Sequence, residues 1–258
     1  MEKKRQQEIK RTVRKNYGKI ALQETTKGSA CCGPDCCSVE SPAQAAEVVG
    51  YRPSDLKTIP QASILGVGCG APLNFADIQK AETVLDLGSG AGIDAFLAAN
   101  IVGKSGKVIG VDMTDEMLAR ARRNAKEAGY SNVEFKKGDV EERIPVDDNS
   151  FDLVISNCVI NLTTDKVKAF KEVRRILKPG GRMAISDLVA DRSLPKESIS
   201  LEKWSGCIDG ALPKEEYIDS IRKAGFKNVQ VLNEQLYMQG QKVNGRKISS
   251  IVIKAVKE

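Results

Sequence analysis

The chain has 258 residues, 41% of them hydrophobic, so it can bury a sizeable core and intrinsic disorder is excluded. No run of ~20 apolar residues could span a membrane, and the opening MEKKRQQEIKR lacks the apolar segment of a signal peptide, so a cytoplasmic protein with no membrane partner is expected. The net charge of +6 resides in residues 1–19, with eight Lys or Arg against two Glu; the other 239 residues are neutral, which argues against a nucleic-acid surface and for a solvated basic helix face.

Residues 3–24 place Ile9, Val13, Tyr17 and Ile20 at helical spacing and predict an amphipathic lead-in helix. Residues 25–40, TTKGSACCGPDCCSVE, lack apolar periodicity and read as a cysteine-rich loop. A short helix at 41–49 and a Pro- and Gly-rich stretch to Pro72 follow. From residue 82, strands at 83–87, 107–112, 132–138, 151–157 and 182–188 alternate with helices that begin near Gly92, after Thr114 and after Asp165. That alternation predicts an α/β fold, a mainly parallel sheet with helices on both faces. Thr114 is the expected N-cap of its helix, with Asp115 and Glu116 in the first turn and Gly129 at the far end. After a helix within 213–226, the runs 228–238 and 247–256 read as an antiparallel pair at the sheet's end. The divisions are 1–72 for the N-terminal helix, loop and lead-in, 73–190 for the core, and 191–258 for a substrate-side segment with the last strands.

The sequence contains no histidine. Ser-His-Asp and Cys-His catalysis, His-ligated zinc and imidazole acid/base chemistry are therefore excluded. Seven cysteines in a cytosolic chain point to thiol chemistry or soft-metal binding rather than to a disulfide framework. Four are Cys31, Cys32, Cys36 and Cys37 in CCGPDCC, and Cys69, Cys158 and Cys207 stand alone. In VLDLGSGAGIDAFLA, Gly88, Gly90 and Gly92 form a strand–turn–helix junction able to approach a ligand closely and offer it helix amides. Ile93 stands where a dinucleotide fingerprint has its third glycine. Asp112, ending the next strand, suits ribose hydroxyls of NAD or another nucleoside. Asp139 and Glu141 of KGDVEE fall within reach of an adenine amino group.

DLGSGAG, GVDMT, KGDVEE and LKPGG occur in the order and approximate spacing of the class I S-adenosylmethionine-dependent methyltransferases, which the chain resembles over about residues 80–190. The resemblance implies a Rossmann-like methyltransferase fold and S-adenosylmethionine as cofactor. It assigns Asp86, Gly88, Ser89, Gly90 and Gly92 to the methionine part, Asp112 to the ribose, Met113 to packing on adenine, Asp139 and Val140 to the adenine edge, and Asn157 to the same pocket. No Asn-Pro-Pro-Tyr-like motif follows the fourth strand, and few aromatics are available for base stacking. A small, soft substrate fits better.

The contexts of the isolated cysteines, LGVGCGAP, SNCVINL and GCIDGAL, resemble one branch of that family, the arsenite S-adenosylmethionine methyltransferases, over nearly the whole chain. The resemblance implies arsenite or methylarsenite as substrate, Cys158 and Cys207 as ligands of trivalent arsenic, and Cys69 as a third thiol and possible ligand. Cys69 and an N-terminal cysteine, here Cys32 by slight preference among four, would complete a disulfide relay reset by thioredoxin or glutathione. Arsenic's lone pair attacks a sulfonium methyl without loss of a proton, so no general base is needed. Two alternatives stand beside it: a C-methyltransferase acting on a quinone-like or sterol-like ring, which needs a base, and a thiol-based metalloid or zinc binder without turnover.

Overall fold

A computed structural model describes residues 2–23 and 41–258. The cysteine loop, with Cys31, Cys32, Cys36 and Cys37, lies outside the described residues. Among those described, no helix is long and apolar enough to cross a membrane.

Seven strands form one sheet in the order β3-β2-β1-β4-β5-β8-β6. They are β1 (Thr83–Leu87), β2 (Lys107–Asp112), β3 (Val133–Lys137), β4 (Phe151–Asn157), β5 (Leu177–Ala190), β6 (Lys227–Leu236) and β8 (Arg246–Val256), with the two-residue β7 (Lys242–Val243) folded onto β8. The first five are mutually parallel. The predicted antiparallel pair is present, and β8 inserts between β5 and β6, antiparallel to both. The LKPGG motif lies within β5: Leu177 is opposite Phe151 and Arg182 opposite Leu153, so residues 178–181 loop out of register.

Alternation along the strands divides the core into two layers. Val84, Val108, Leu153 and Ile155 face α4 (Ile93–Val102) and α5 (Asp115–Glu127), whereas Leu85, Leu87, Ile109 and Val154 face α6 (Lys166–Ile176) and α8 (Lys214–Lys223). The first layer also takes Tyr51, Leu56, Ile59 and Ile64 of the lead-in, which includes α2 (Pro42–Val48) and α3 (Pro53–Leu56). Thr114 does precede α5, but its side chain makes no cap bond; its N–H instead donates to Asp112 Oδ1 at 2.8 Å. Gly129, at φ 72°, ends α5 in the left-handed conformation expected of it.

The lead-in helix α1 (Glu2–Leu22) buries Ile9, Val13 and Ala21. Arg120 of α5 ties its end down, donating from Nη1 to the Ala21 and Gln23 carbonyls and from Nε to that of Ala62, each at 2.8 Å. The basic face is not wholly solvated. Lys10 reaches across to Asp139 Oδ2 at 2.7 Å and Glu141 Oε2 at 3.2 Å, because α1 lies over the carboxyl ends of the strands.

Candidate active site

Strand order reverses between β1, which neighbours β2, and β4 on its other side. Open α/β sheets bind ligands at the carboxyl ends of their strands at such a point, and here a cleft opens there. Its walls include Asp86, the Gly88–Gly90 turn, Asp112, Met113, Val140 and Asn157, with Lys10, Val13 and Tyr17 of α1 above. Gly88, Gly90 and Gly92 adopt φ of 71°, 52° and 101°, so the chain folds back after β1 and leads into α4. Asp112 braces the turn: its Oδ2 accepts the Gly90 N–H at 2.9 Å.

Three carboxyls converge on this floor. Burial raises the Asp86 carboxyl well above the usual range, with the Asp94 and Asp112 charges adding to it. Burial likewise raises Asp94 to about 6, against the hydrogen bonds from Tyr51 and Asn157, and raises Asp112 against the amides of Thr114 and Gly90. Asp86 Oδ2 and Ser89 Oγ are buried with no hydrogen-bond partner among the described residues. A cleft with crowded carboxyls, unsatisfied polar atoms and apolar walls at Met113 and Val140 suits a cationic nucleoside, and S-adenosylmethionine, which carries a sulfonium and an ammonium, fits that description.

Asp139 and Glu141 both line the cleft, and each is also tied to another element. Asp139 Oδ1 accepts the Glu141 N–H at 2.9 Å and its Oδ2 faces Lys10. Glu141 Oε1 accepts from the Thr164 and Asp165 amides and the Thr164 hydroxyl at 2.7–3.0 Å. Glu141 thus also holds the loop before α6.

Cys69, Cys158 and Cys207 come together, 2%, 4% and 1% exposed, although they are far apart in sequence. Cys69 Sγ, Cys158 Sγ and an Asp187 oxygen lie within 4.8 Å of one another, and Cys207 Sγ donates to the Cys158 carbonyl at 3.0 Å. Cys158 also lines this cleft, and Cys69 and Cys207 lie behind it in the same buried cluster. Cys158 and Cys207 hold φ of 62° and 65°. A side-chain-bearing residue in this region costs ~1–2 kcal/mol, and such residues cluster at functional sites.

The flanking glycines do not leave Cys69 accessible. A Cβ on Gly70 would stand 2.0 Å from Ser186 Oγ, so this glycine lets the loop close onto β5 and bury the sulfur. Asn157 fastens the same loop, accepting the Cys69 N–H at 3.1 Å and donating to the Gly70 carbonyl at 2.6 Å. Burial pushes the Cys69 thiol up and the Cys158 thiol well up, the neighbouring thiols adding to the latter. Both are therefore neutral thiols at neutral pH in the free protein.

Sequence reasoning missed several groups. Tyr51 donates its hydroxyl to Asp94 at 2.8 Å and accepts from Asn157 Nδ2 at 2.8 Å, linking the lead-in to the cleft floor. Behind the thiols, Asp187 accepts the Asn161 and Leu188 amides and the Tyr217 hydroxyl at 2.9–3.0 Å. Burial raises it to about 6, and Lys166, also buried, is lowered to about 8. With three donors in place, Asp187 is a neighbour of the sulfurs rather than a ligand beside them. A lone acid in an apolar helix or strand, IDAFLAANIV or MAISDLVA, was the available signal.

A model described as a methyltransferase domain matches residues 78–238, and the chain belongs to that family, with the class I S-adenosylmethionine-dependent fold. Within it, the chain is 42% identical over 235 residues to an arsenite methyltransferase of Halobacterium salinarum and 39% identical over 235 to one of Aquipseudomonas alcaligenes. Each match covers 87% of this chain but only 59% and 64% of the relative, so the chain spans about three-fifths of their length. Among solved structures, it resembles an arsenic(III) S-adenosylmethionine methyltransferase from Chlamydomonas reinhardtii, with a TM-score of 0.66 and 35% identity over 84% of this chain and 73% of that one.

Proposed function

We propose that this protein methylates trivalent arsenic, using S-adenosylmethionine, on a platform formed by Cys158 and Cys207 with Cys69 as third thiol. The observation that carries this reading is the meeting of three sequence-distant cysteines in one buried cluster against the cofactor cleft. The arsenite methyltransferases that the chain resembles support it. A ring C-methyltransferase would need a base and leaves the thiol cluster unused.

In this proposal Asp112 holds the ribose, Met113 and Val140 enclose the adenine with Asp139 at its edge, and Asp86, Ser89, Asn157 and the Gly88–Gly92 turn receive the methionine part. Bound S-adenosylmethionine supplies an electrophilic methyl group. Arsenite, As(OH)₃, condenses with three thiols to give As(SR)₃ and three waters, with no net release of protons, so neutral Cys69 and Cys158 suffice. Sulfur is the donor a soft centre prefers, and the apolar surroundings keep water from competing for it. Methylation formally oxidises arsenic by two electrons; a loop cysteine thiol attacks the arsenic-bound Cys69 sulfur, so that a disulfide forms, the As–S bond breaks and returns its two electrons to arsenic, and one proton is released, and thioredoxin or glutathione then reduces that disulfide. Cys69 and a cysteine of the N-terminal loop are the proposed relay, acting in the reducing cytosol.

Incubation with arsenite, S-adenosylmethionine and a thiol, followed by arsenic speciation, tests the proposal. Methylated arsenicals are expected. Tight arsenic binding without methylated product would reassign the protein as a thiol-based metalloid binder, and neither binding nor product would reject both.

A further inference from the structure

Cys207 is held only in part by its own segment, its N–H donating to the Trp204 carbonyl at 2.9 Å and that of Ile208 to the Lys203 carbonyl at 3.1 Å. It follows the short helix α7 (Leu201–Ser205) in the left-handed backbone conformation, and the loop behind it is pressed into place from two sides. On one side Gly210 lies against the segment after Cys158, so close that a Cβ would stand 1.9 Å from the Asn161 carbonyl oxygen. On the other side, the two-residue turn Asn244–Gly245 joins β7 to β8 and delivers Arg246 beneath the loop. The Arg246 side chain is 1% exposed. Its Nη1 donates to the Ala211 carbonyl at 3.1 Å and its Nη2 to the Ile208 carbonyl at 3.0 Å, and Nη2 stands 3.4 Å from Asp209 Oδ1. Asp209 is buried too; it accepts the Ser200 N–H at 2.8 Å and Asn244 Nδ2 at 3.1 Å.

Stability alone is a poor account of this arrangement. A buried ion pair can commonly be replaced by apolar residues without loss, and this one leaves Arg246 Nε with no partner among the described residues. Its bonds go to the carbonyls that begin and end the stretch after Cys207. A guanidinium fork spans two carbonyls and a carboxylate at fixed angles, which an ammonium cannot reproduce.

We infer that Arg246, with Asp209, is a positioning residue for Cys207, holding the loop so that its sulfur is aimed at Cys158 in a preformed chelate for a thiophilic centre. The choice of arsenic as occupant rests on the function proposed above; the positioning of the sulfur does not. A loosened loop lets Cys207 swing away from Cys158 while the cofactor cleft, which Arg246 does not touch, stays intact.

The test uses the full chain carrying Arg246→Lys and, separately, Asp209→Asn, with iodoacetamide alkylation of each cysteine followed by peptide mass spectrometry without arsenic. In folded Arg246→Lys, alkylation of Cys207 should accelerate at least ~10-fold relative to Cys158. Arsenite affinity, read from Trp204, the chain's sole tryptophan and three residues from Cys207, should fall by a similar factor. S-adenosylmethionine affinity should not change, and methylation should fall by up to ~100-fold, as expected of ångström-scale misplacement. A lowered melting temperature with an unchanged Cys207-to-Cys158 alkylation ratio would overturn the inference. If Arg246→Lys does not fold, the same ratio in Asp209→Asn decides. Should wild-type protein fail to bind arsenite at all, the arsenic reading falls, and the alkylation ratio still judges the positioning.

Discussion

The two halves of the candidate site, the cofactor cleft and the thiol cluster beside it, are built in opposite ways. The cofactor floor comes from short local stretches, residues 86–94 and 112–114, each the end of one strand and the start of the next helix, and it is rich in carboxyls. The thiol wall gathers residues 69, 158 and 207 from three parts of the chain among apolar side chains such as Leu188 and Ile248, with buried Asp187 and Arg246 behind them, and includes two cysteines in left-handed conformation. The difference follows from what each half has to do. A nucleoside can be met by backbone amides and a carboxylate that a glycine turn already places side by side. Sulfurs that must converge on one soft atom need their directions fixed by distant parts of the fold, hence the close packing of Gly70 and Gly210 and the Arg246 clamp.

If the halves are separate, they should fail separately. The largest effect is expected from Cys158→Ser, which replaces a thiol by a hydroxyl, a poor ligand for a soft centre. Arsenite methylation should drop by more than ~100-fold, with S-adenosylmethionine affinity, measured by calorimetry, within twofold of wild type. Loss of cofactor binding as well would mean that Cys158, which borders the cleft, belongs to both halves.

Asp112→Ala probes the other side. Both Asp112 oxygens hold backbone amides, those of Gly90 and Thr114, so the change removes the proposed ribose contact and loosens the glycine turn together. Charge-assisted hydrogen bonds contribute ~1.5–3 kcal/mol, so cofactor affinity should weaken by roughly 10- to 100-fold while arsenite binding persists. A variant that also loses arsenite would show that the floor supports the wall.

The third effect is chemical. Because burial pushes the Cys158 and Cys69 thiols above the ordinary value of 9.0, less thiolate is present at any given pH. Alkylation of Cys158 at pH 8 should be at least ~10-fold slower than that of a free thiol, and its rate should keep rising tenfold per pH unit beyond pH 9. Arsenite binding, which consumes thiol and hydroxide in matching numbers, should vary far less from pH 7 to 8. A plateau in Cys158 alkylation below pH 8 would mean that the wall is wetter and more polar than its burial implies.

The halves also differed in how far they could be read from sequence. Strand positions, the glycine turn and Asp112 were legible because each is a local pattern. The three cysteines were legible only through their flanking residues, since nothing in the spacing of 69, 158 and 207 says that they meet. Tyr51, Asp94, Lys166 and Arg246 were not legible: each acts across the fold, and its partner is set by tertiary packing. Burial of Cys69 was not legible either, because a glycine such as Gly70 marks both an open turn and a close approach. The same limit applied to α1, whose basic residues read as a solvated face until Asp139 and Glu141 were found opposite Lys10.

That helix supplies the smallest expected effect and the finest division of the two halves. Lys10, Val13 and Tyr17 line the cofactor cleft, yet Asn16 Nδ2 donates to Ser205 Oγ at 2.7 Å, two residues before Cys207. Burial opposes the charge on Lys10, but the Asp139 hydrogen bond and the Asp139 and Glu141 charges outweigh it, so its pKa lies above the usual 10.5. A raised folded pKa gives a stabilisation fully present below 10.5 and lost only as pH rises through the folded value, so the pair should act undiminished at neutral pH. The Lys10 side chain is 20% exposed, and partly solvated ion pairs contribute at most ~1 kcal/mol. Lys10→Met should therefore weaken S-adenosylmethionine binding by only about threefold, hasten proteolysis within α1, and leave arsenite affinity unchanged. If arsenite affinity falls instead while the cofactor binds normally, α1 acts through Ser205 and belongs with the thiol wall. An equal fall in both would make the helix the element that joins them.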